Sequence, residues 1–283
     1  MQEVVSKPVL LYYVMGYFAI MILIGLWSSK KIKSSDDYAL AGRQLGPIVL
    51  MGTLMATSVG SGTVTGGGNS LAYSYGYWAG ISWVIPYIVF CLGYLFIFRK
   101  IRKGGYYTVP QLLENTYGKP TRILGSIVNL VGLAGIVSYQ FKGLGFVLNI
   151  TTGISVDYAT LIAAGVIIAI AIFGGLFSVA YTDALGAFLI VICCGVALPF
   201  VLKAGGGWQA ITTSVAATAP ENLTLTGGRS FLTILGSLLP LIILEIGDQN
   251  FYQRIAASKS DKATNIAIWG WMILACLAIP CVG

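Results

Sequence analysis

Between Arg43 and Arg99 the chain carries no charged residue, a run of 55 positions. A soluble fold has no use for such a stretch, because a soluble domain carries about 25% charged residues spread over its surface, whereas only 10% of this chain of 283 residues is charged. Further uncharged runs cover 8–29, 123–141, 158–182, 184–202 and 263–283. A helix needs about 20 mostly apolar residues to cross a hydrocarbon core of about 30 Å, so each run has the length of one span and the longest holds two. The sequence therefore predicts eight spans: 9–28, 46–70, 78–98, 122–150, 157–178, 183–203, 230–252 and 263–283. Lys30, Lys31 and Lys33 directly follow the first apolar run without a small-residue cleavage pattern, so that run reads as a retained anchor.

The basic residues are sorted by loop. Lys30, Lys31, Lys33 and Arg43 lie on one side, joined by Arg99, Lys100, Arg102, Lys103, Lys119 and Arg122 and then by Arg254, Lys259 and Lys262. The other side holds Lys7, Lys203 and Arg229, and Lys142 falls inside a span. The positive-inside rule puts the basic side in the cytoplasm and the N-terminus outside. The net charge of +7 follows from this bias; basic loops beside anionic lipid account for it without a nucleic-acid partner. There is no histidine, which removes the commonest general base and much zinc chemistry. Cys91, Cys193, Cys194, Cys276 and Cys281 all sit in apolar stretches without ligand spacing. These features argue against an enzyme.

The second span is unusual. Five of the nine residues from Gly60 to Gly68 are glycine, and each glycine costs a helix interior about 1 kcal/mol relative to alanine. Irregular backbone at membrane depth is tolerated only where protein or a wet cavity covers it, and broken helices mark the midplane binding sites of secondary transporters. Freed carbonyls there can replace the water shell of a cation, and the hydroxyls of Ser58 and Thr63 can bond a polar solute. Close helix packing through small residues is the competing reading. A nucleotide-phosphate loop is a poor fit, because no Gly-Lys-Ser/Thr follows.

Three motifs resemble the sodium:solute symporter family, which includes transporters of sugars, proline, pantothenate, sialic acid and choline. They are Asp37-Tyr38-Ala39-Leu40-Ala41-Gly42-Arg43, then Gly174-Gly175-Leu176-Phe177-Ser178-Val179-Ala180-Tyr181-Thr182-Asp183, then Gln253-Arg254-Ile255-Ala256-Ala257-Ser258-Lys259-Ser260. The resemblance implies an all-α membrane protein with a LeuT-like core of two inverted five-helix repeats behind one extra N-terminal helix. Residues 1–45 would be that helix and a cytoplasmic loop, 46–203 the first repeat, 204–229 an external loop with a short surface helix around Trp208, and 230–283 the start of an incomplete second repeat. It also implies that sodium is held by the carbonyls of Ala56 and Val59, with solute contacts at Ser58, Gly62 and Thr63. Gly62 departs from members with a longer polar side chain there. Thr182-Asp183 resembles a cytoplasm-facing element linked to sodium release, and in some members to a second sodium site, so Asp183 is a candidate sodium ligand; a helix N-cap is the other reading of that carboxylate. The family's main sodium site also uses hydroxyls on a later helix that would lie beyond Gly283, which reads as a fragment of a longer protein.

Lys142, Glu245 and Asp248 fall within apolar spans, where a charge costs about 2.5–3.5 kcal/mol on insertion scales and is a functional candidate by default. The resemblance implies that Glu245-Ile246-Gly247-Asp248 sits where the family's second broken helix lines the solute path, so that Glu245 would contact a cationic or zwitterionic solute or carry a proton; the alternative is that Glu245 and Asp248 lie near the cytoplasmic mouth, close to Arg254. Lys142 either pairs with one of these acids, snorkels or faces a wet vestibule. Gln140, on the fourth span, either faces the solute path or packs. The expectation is sodium-coupled uptake of a small organic solute by alternating access, in a multi-pass protein of the plasma (inner) membrane. The alternatives are sodium-independent or proton-coupled transport, or a non-transporting fragment or sensor on the same core. A channel would need a repeated carbonyl or charge ring, which a single chain of this pattern does not display.

Overall fold

The computed structural model describes residues 8–60 and 67–282. Among these, helices account for nearly every ordered element. The elements are α1 (Pro8–Ser29), α2 (Ser35–Leu40), α3 (Pro47–Ser58), α4 (Gly68–Tyr75), α5 (Tyr77–Ser82), α6 (Val84–Gly104), α7 (Val109–Tyr117), α8 (Lys119–Thr152), α9 (Val156–Ala204), α10 (Trp208–Thr218), α11 (Phe231–Gly247), α12 (Gln249–Ala256) and α13 (Asp261–Val282). Five stretches are long and apolar enough to cross a membrane: Val9–Ser29, Tyr77–Gly104, Lys119–Thr152, Gly174–Ala204 and Asp261–Val282. The pair α11 and α12 forms a sixth, bent by 40°. Pro47–Ser58 and Val156–Ala169 are shorter apolar helices. These two fall within the expected spans 46–70 and 157–178.

α1 is apolar on all sides and mostly exposed, the pattern of a helix that faces lipid rather than water. The packed centre lies elsewhere, where α3, α6, α12 and α13 meet. Trp271 of α13 stacks on Phe251 of α12 at 4.8 Å and tilts against Phe90 of α6 at 5.0 Å. Leu50, Leu54 and Met55 of α3 complete this buried cluster. Lipid tails are as apolar as leucine, so helices in a bilayer associate through close contact rather than hydrophobic exclusion. The crossing of α3 and α9 illustrates this: a Cβ on Gly52 would lie 2.6 Å from the Ala184 Cα. Only glycine lets the two backbones come so near.

The three motifs, far apart in sequence, form one knot at the basic end of the bundle. Ala41, Gly42 and Arg43 turn left-handed at φ 49°, 58° and 55°, which swings the chain from α2 into α3. Leu45 then pairs with the third motif: its N–H donates to the Ala257 carbonyl and its carbonyl accepts from the Lys259 N–H, both at 3.1 Å. The Gln253 side chain donates to the Ala39 carbonyl at 2.7 Å. The Tyr38 hydroxyl donates to the Ile172 carbonyl at 3.2 Å, in α9 just before the second motif.

One boundary differs from expectation. The sequence predicts a break between two spans at 179–182, but the helix runs through those residues and bends at Gly175 instead (φ 50°, ψ −157°). At 49 residues a straight α9 would be about 74 Å long, more than twice the hydrocarbon thickness, so it has to turn. It turns where the Tyr38 carbonyl approaches to 2.6 Å of the place a Cβ would occupy. Glycine is the residue that tolerates both that contact and that backbone region. The helix cap considered for Asp183 is thereby removed, because no helix starts there. The expected surface helix around Trp208 is present as α10.

Candidate functional site

α3 stops at Ser58, inside the expected span 46–70. Its last ladder bond runs from the Val59 N–H to the Met55 carbonyl at 2.9 Å, and Val59 itself is extended (φ −120°, ψ 90°). Gly67 lies in a π-helical turn and α4 follows from Gly68; residues 61–66 lie outside the described residues. The Tyr87 hydroxyl of α6 donates to the Ser58 carbonyl at 3.0 Å, and the Ser58 hydroxyl accepts from the Trp271 indole N–H at 2.8 Å. The break is thus held from outside, as membrane-depth irregular backbone must be.

A cavity of about 670 Å³ opens beside the break, between α1, the end of α3, α8 and α9. Ala56, Val59, Gly60, Gln140, Thr182 and Asp183 are among its lining residues. Four of the residues singled out from sequence, Ala56, Val59, Gln140 and Asp183, therefore meet at one place. Gln140 reaches to the break itself: a Cβ on Gly60 would sit 2.6–2.8 Å from its amide atoms. The remaining wall, with Tyr13, Tyr17, Phe18 and Met21 of α1 and Leu144 and Leu148 of α8, is apolar. Apolar walls with a few convergent polar groups are the usual make-up of a small-molecule site.

Asp183 sits at the cavity's edge in a buried polar triangle. Its Oδ2 accepts from the Thr53 hydroxyl at 2.7 Å and from the Arg254 guanidinium at 3.0 Å. Arg254 Nε also donates to the Thr53 hydroxyl oxygen at 2.8 Å. Arg254 is 9% exposed at its side chain and Asp183 24%. The triangle joins α3, α9 and α12 about one turn and a half on the basic-loop side of the break. Counting Arg254 among the loop charges missed this. Its spacing held the signal: Phe251, Arg254 and Ile255 fall at i, i+3 and i+4, on one helical stripe that is otherwise apolar, and all three are buried.

The other candidates lie outside this cavity. Ser58 is turned toward Trp271 and toward its own helix, where its hydroxyl also lies against the Leu54 and Met55 carbonyls. Glu245 stands near the end of α11, partly buried, with a covered Oε2 that lacks a hydrogen-bond partner among the described residues; the Tyr94 hydroxyl donates to its backbone carbonyl at 3.0 Å. Asp248 caps α12, its Oδ1 accepting from the Asn250 N–H at 2.8 Å. Lys142 is exposed and forms no ion pair with a described carboxylate. Gly62 and Thr63 lie outside the described residues.

A helical membrane protein with one helix that ends inside an expected span, a second one bent, and a cavity at that helix end has the construction of a LeuT-like fold. The chain belongs to the sodium:solute symporter family, whose model matches residues 38–282. It is 27% identical over 279 residues to the high affinity choline transporter 1 of Homo sapiens, covering 93% of this chain and 48% of that protein. It is 28% identical over 285 residues to the high-affinity proline transporter of Bacillus subtilis (strain 168), covering 93% of this chain and 58% of that one. The fold matches the solved structure of a Na+-coupled sialic acid symporter with a TM-score of 0.83 and 20% identity, over 96% of this chain and 59% of that chain. The chain spans about half the length of the curated relatives it matches.

Proposed function

We propose that the protein moves a small organic solute into the cell together with sodium, by alternating access, as a multi-pass protein of the plasma membrane with its N-terminus outside. The observation that carries this reading is the end of α3 at Ser58 beside a cavity that also holds Asp183. In this reading the Ala56 and Val59 carbonyls, released from the helical ladder, bind sodium near Asp183. Both bonds to the Asp183 carboxylate land on Oδ2, which leaves Oδ1 for a cation. Residues 46–203 act as one repeat, and Gln140, Gly62 and Thr63 serve the solute, while Ser58, held by Trp271, fixes the end of α3.

Sodium can shift the balance between two states only by binding one of them better. Arg254 provides the means: sodium at Asp183 competes with its guanidinium, so ion binding and the clasp between α9 and α12 are linked. The solute class is argued from Glu245, a partly buried carboxyl whose covered Oε2 has no hydrogen-bond partner among the described residues. A positively charged nitrogen would satisfy it, and the relatives named for choline and proline transport carry one in their solutes.

The test is uptake of labelled amines, betaines and amino acids by cells or proteoliposomes containing the full-length protein, with sodium replaced by choline-free potassium or lithium buffers. Sodium-dependent, saturable uptake is expected. Uptake that is equal without sodium would overturn the coupling. Glu245→Gln is expected to weaken affinity for a cationic or zwitterionic solute while uptake stays sodium-dependent; unchanged affinity and pH dependence would remove Glu245 from the solute site.

A further inference from the structure

A second concavity lies at the basic end of α6, away from the α3 break. It has a volume of about 230 Å³ and is lined by Ile97, Lys100, Ile101, Leu112, Tyr252 and residues of the 106–108 turn. The turn is built by Gly105 at φ 71°, which folds the chain back so that the Tyr106 ring lies against Gly104; a Cβ there would be 2.6 Å from the ring. Tyr106 and Tyr107 are held by neighbours: Asn115 donates to the Tyr106 hydroxyl at 2.9 Å, and the Tyr107 hydroxyl donates to Asp36 at 3.0 Å.

The surrounding charge is uneven. Arg102 is paired with Asp261 and Arg122 with Glu114, and Asp36 is engaged by Arg43. Arg99, Lys100 and Lys103 form no ion pair with a described carboxylate, and all three are exposed. On α6 the exposed residues Ile85, Val89, Leu92 and Phe96 recur at helical spacing, and Lys100 and Lys103 continue the same stripe. From Val89 to Lys100 the stripe is about 16 Å long, close to half of a hydrocarbon core of about 30 Å. One face of α6 therefore offers an apolar track one leaflet deep that ends in two unpaired ammonium groups beside a tyrosine-walled pocket.

We propose that this cleft binds one anionic phospholipid, with an acyl chain along Val89, Leu92 and Phe96, the phosphate between Lys100 and Lys103, and the ester region against Ile97, Ile101 and Tyr252. A soluble phosphate would use the two lysines but not the apolar track or pocket. Basic pockets between membrane helices on the cytoplasmic side are known to hold anionic headgroups; the sorting of basic loops puts this end there. The proposal stands apart from the transport reading, since it uses none of the residues at the α3 break.

The test is native mass spectrometry of the purified full-length protein in detergent, titrated with phosphatidylglycerol or phosphatidylcholine. One phosphatidylglycerol is expected to stay bound at concentrations where phosphatidylcholine does not. Each lysine near a headgroup contributes about fivefold in binding, so Lys100→Gln with Lys103→Gln is expected to weaken retention by roughly 25-fold. Ile97→Trp, which fills the pocket and keeps both charges, is expected to weaken it as well. A control, Lys30→Gln with Lys33→Gln, removes two charges elsewhere at the same end and is expected to change nothing. Equal loss in the control, or full retention by the double variant, would mean diffuse surface charge and overturn the proposal. Displacement by glycerol phosphate alone at matching concentration would point to a soluble anion instead of a lipid and equally overturn it.

Discussion

Removing the Asp183 carboxylate charge is the sharpest test of how α3, α9 and α12 are joined. Asp183→Asn keeps the shape and one acceptor oxygen for the Thr53 hydroxyl, but leaves Arg254 charged. Arg254 then retains the Thr53 hydroxyl at 2.8 Å and the Asn250 carbonyl at 3.3 Å as its partners. Two unit charges about 4 Å apart interact by about 4 kcal/mol at an effective dielectric of about 20. Breaking a buried pair by removing one partner costs roughly 3–5 kcal/mol, because the other charge is left uncompensated. Asp183 keeps some contact with the cavity, so the lower end applies: about 3 kcal/mol for Asp183→Asn. Arg254→Gln is expected to cost somewhat less, about 2 kcal/mol, since the carboxylate it abandons can draw water from that cavity. The double variant removes both charges at once and is expected to cost less than the two single changes together, with a coupling of about 2 kcal/mol. Chemical denaturation of the purified protein in detergent, followed by tryptophan fluorescence, measures all four corners of the cycle. Additive costs would refute the claim that this pair acts as a unit. A second readout separates function from stability: if sodium competes with Arg254, Arg254→Gln should raise apparent sodium affinity even as it lowers stability.

Gly175→Ala is expected to prevent folding or lower stability by more than 3 kcal/mol, since a non-glycine residue in that backbone region costs about 1–3 kcal/mol and its Cβ would also collide with the Tyr38 carbonyl; thermal unfolding in detergent checks it. Gly60→Ala meets only the flexible end of Gln140, so stability should change by about 1 kcal/mol or less while sodium or solute affinity falls, measured by uptake kinetics. Trp271→Phe keeps the ring stack and loses the bond to the Ser58 hydroxyl, an expected cost of about 1 kcal/mol in the same denaturation assay, with Ser58→Ala giving a similar loss and the two together little more than either alone.

Much of this molecule is visible in one dimension. The long spans could be located because the solvent imposes a rule: a backbone crossing hydrocarbon must satisfy its own hydrogen bonds, and a long apolar helix does so within one segment. α3 ends at Ser58, just before the glycine-dense stretch, in keeping with glycine neither favouring the helix nor filling the space beside it; residues 61–66 of that stretch lie outside the described residues. Ala56, Val59 and Asp183 could be proposed on the resemblance and Gln140 from its place on the fourth span, and the fold brings all four to one cavity.

Tertiary structure decided what pairs with what. Arg254 was one basic residue among the thirteen on its side until packing put it against Asp183, 71 positions earlier in the chain. The bend of α9 could not be located from Gly174-Gly175 alone, because what sets it is the carbonyl of Tyr38 arriving from another part of the chain. Ser58, a solute candidate by its hydroxyl, was claimed by an indole 213 positions away. The sequence determined which segments enter the membrane, since that depends on each segment's own exchange between water and lipid. Partners, bends and the edges of the cavity depend on distances between segments, and only the packed bundle sets those.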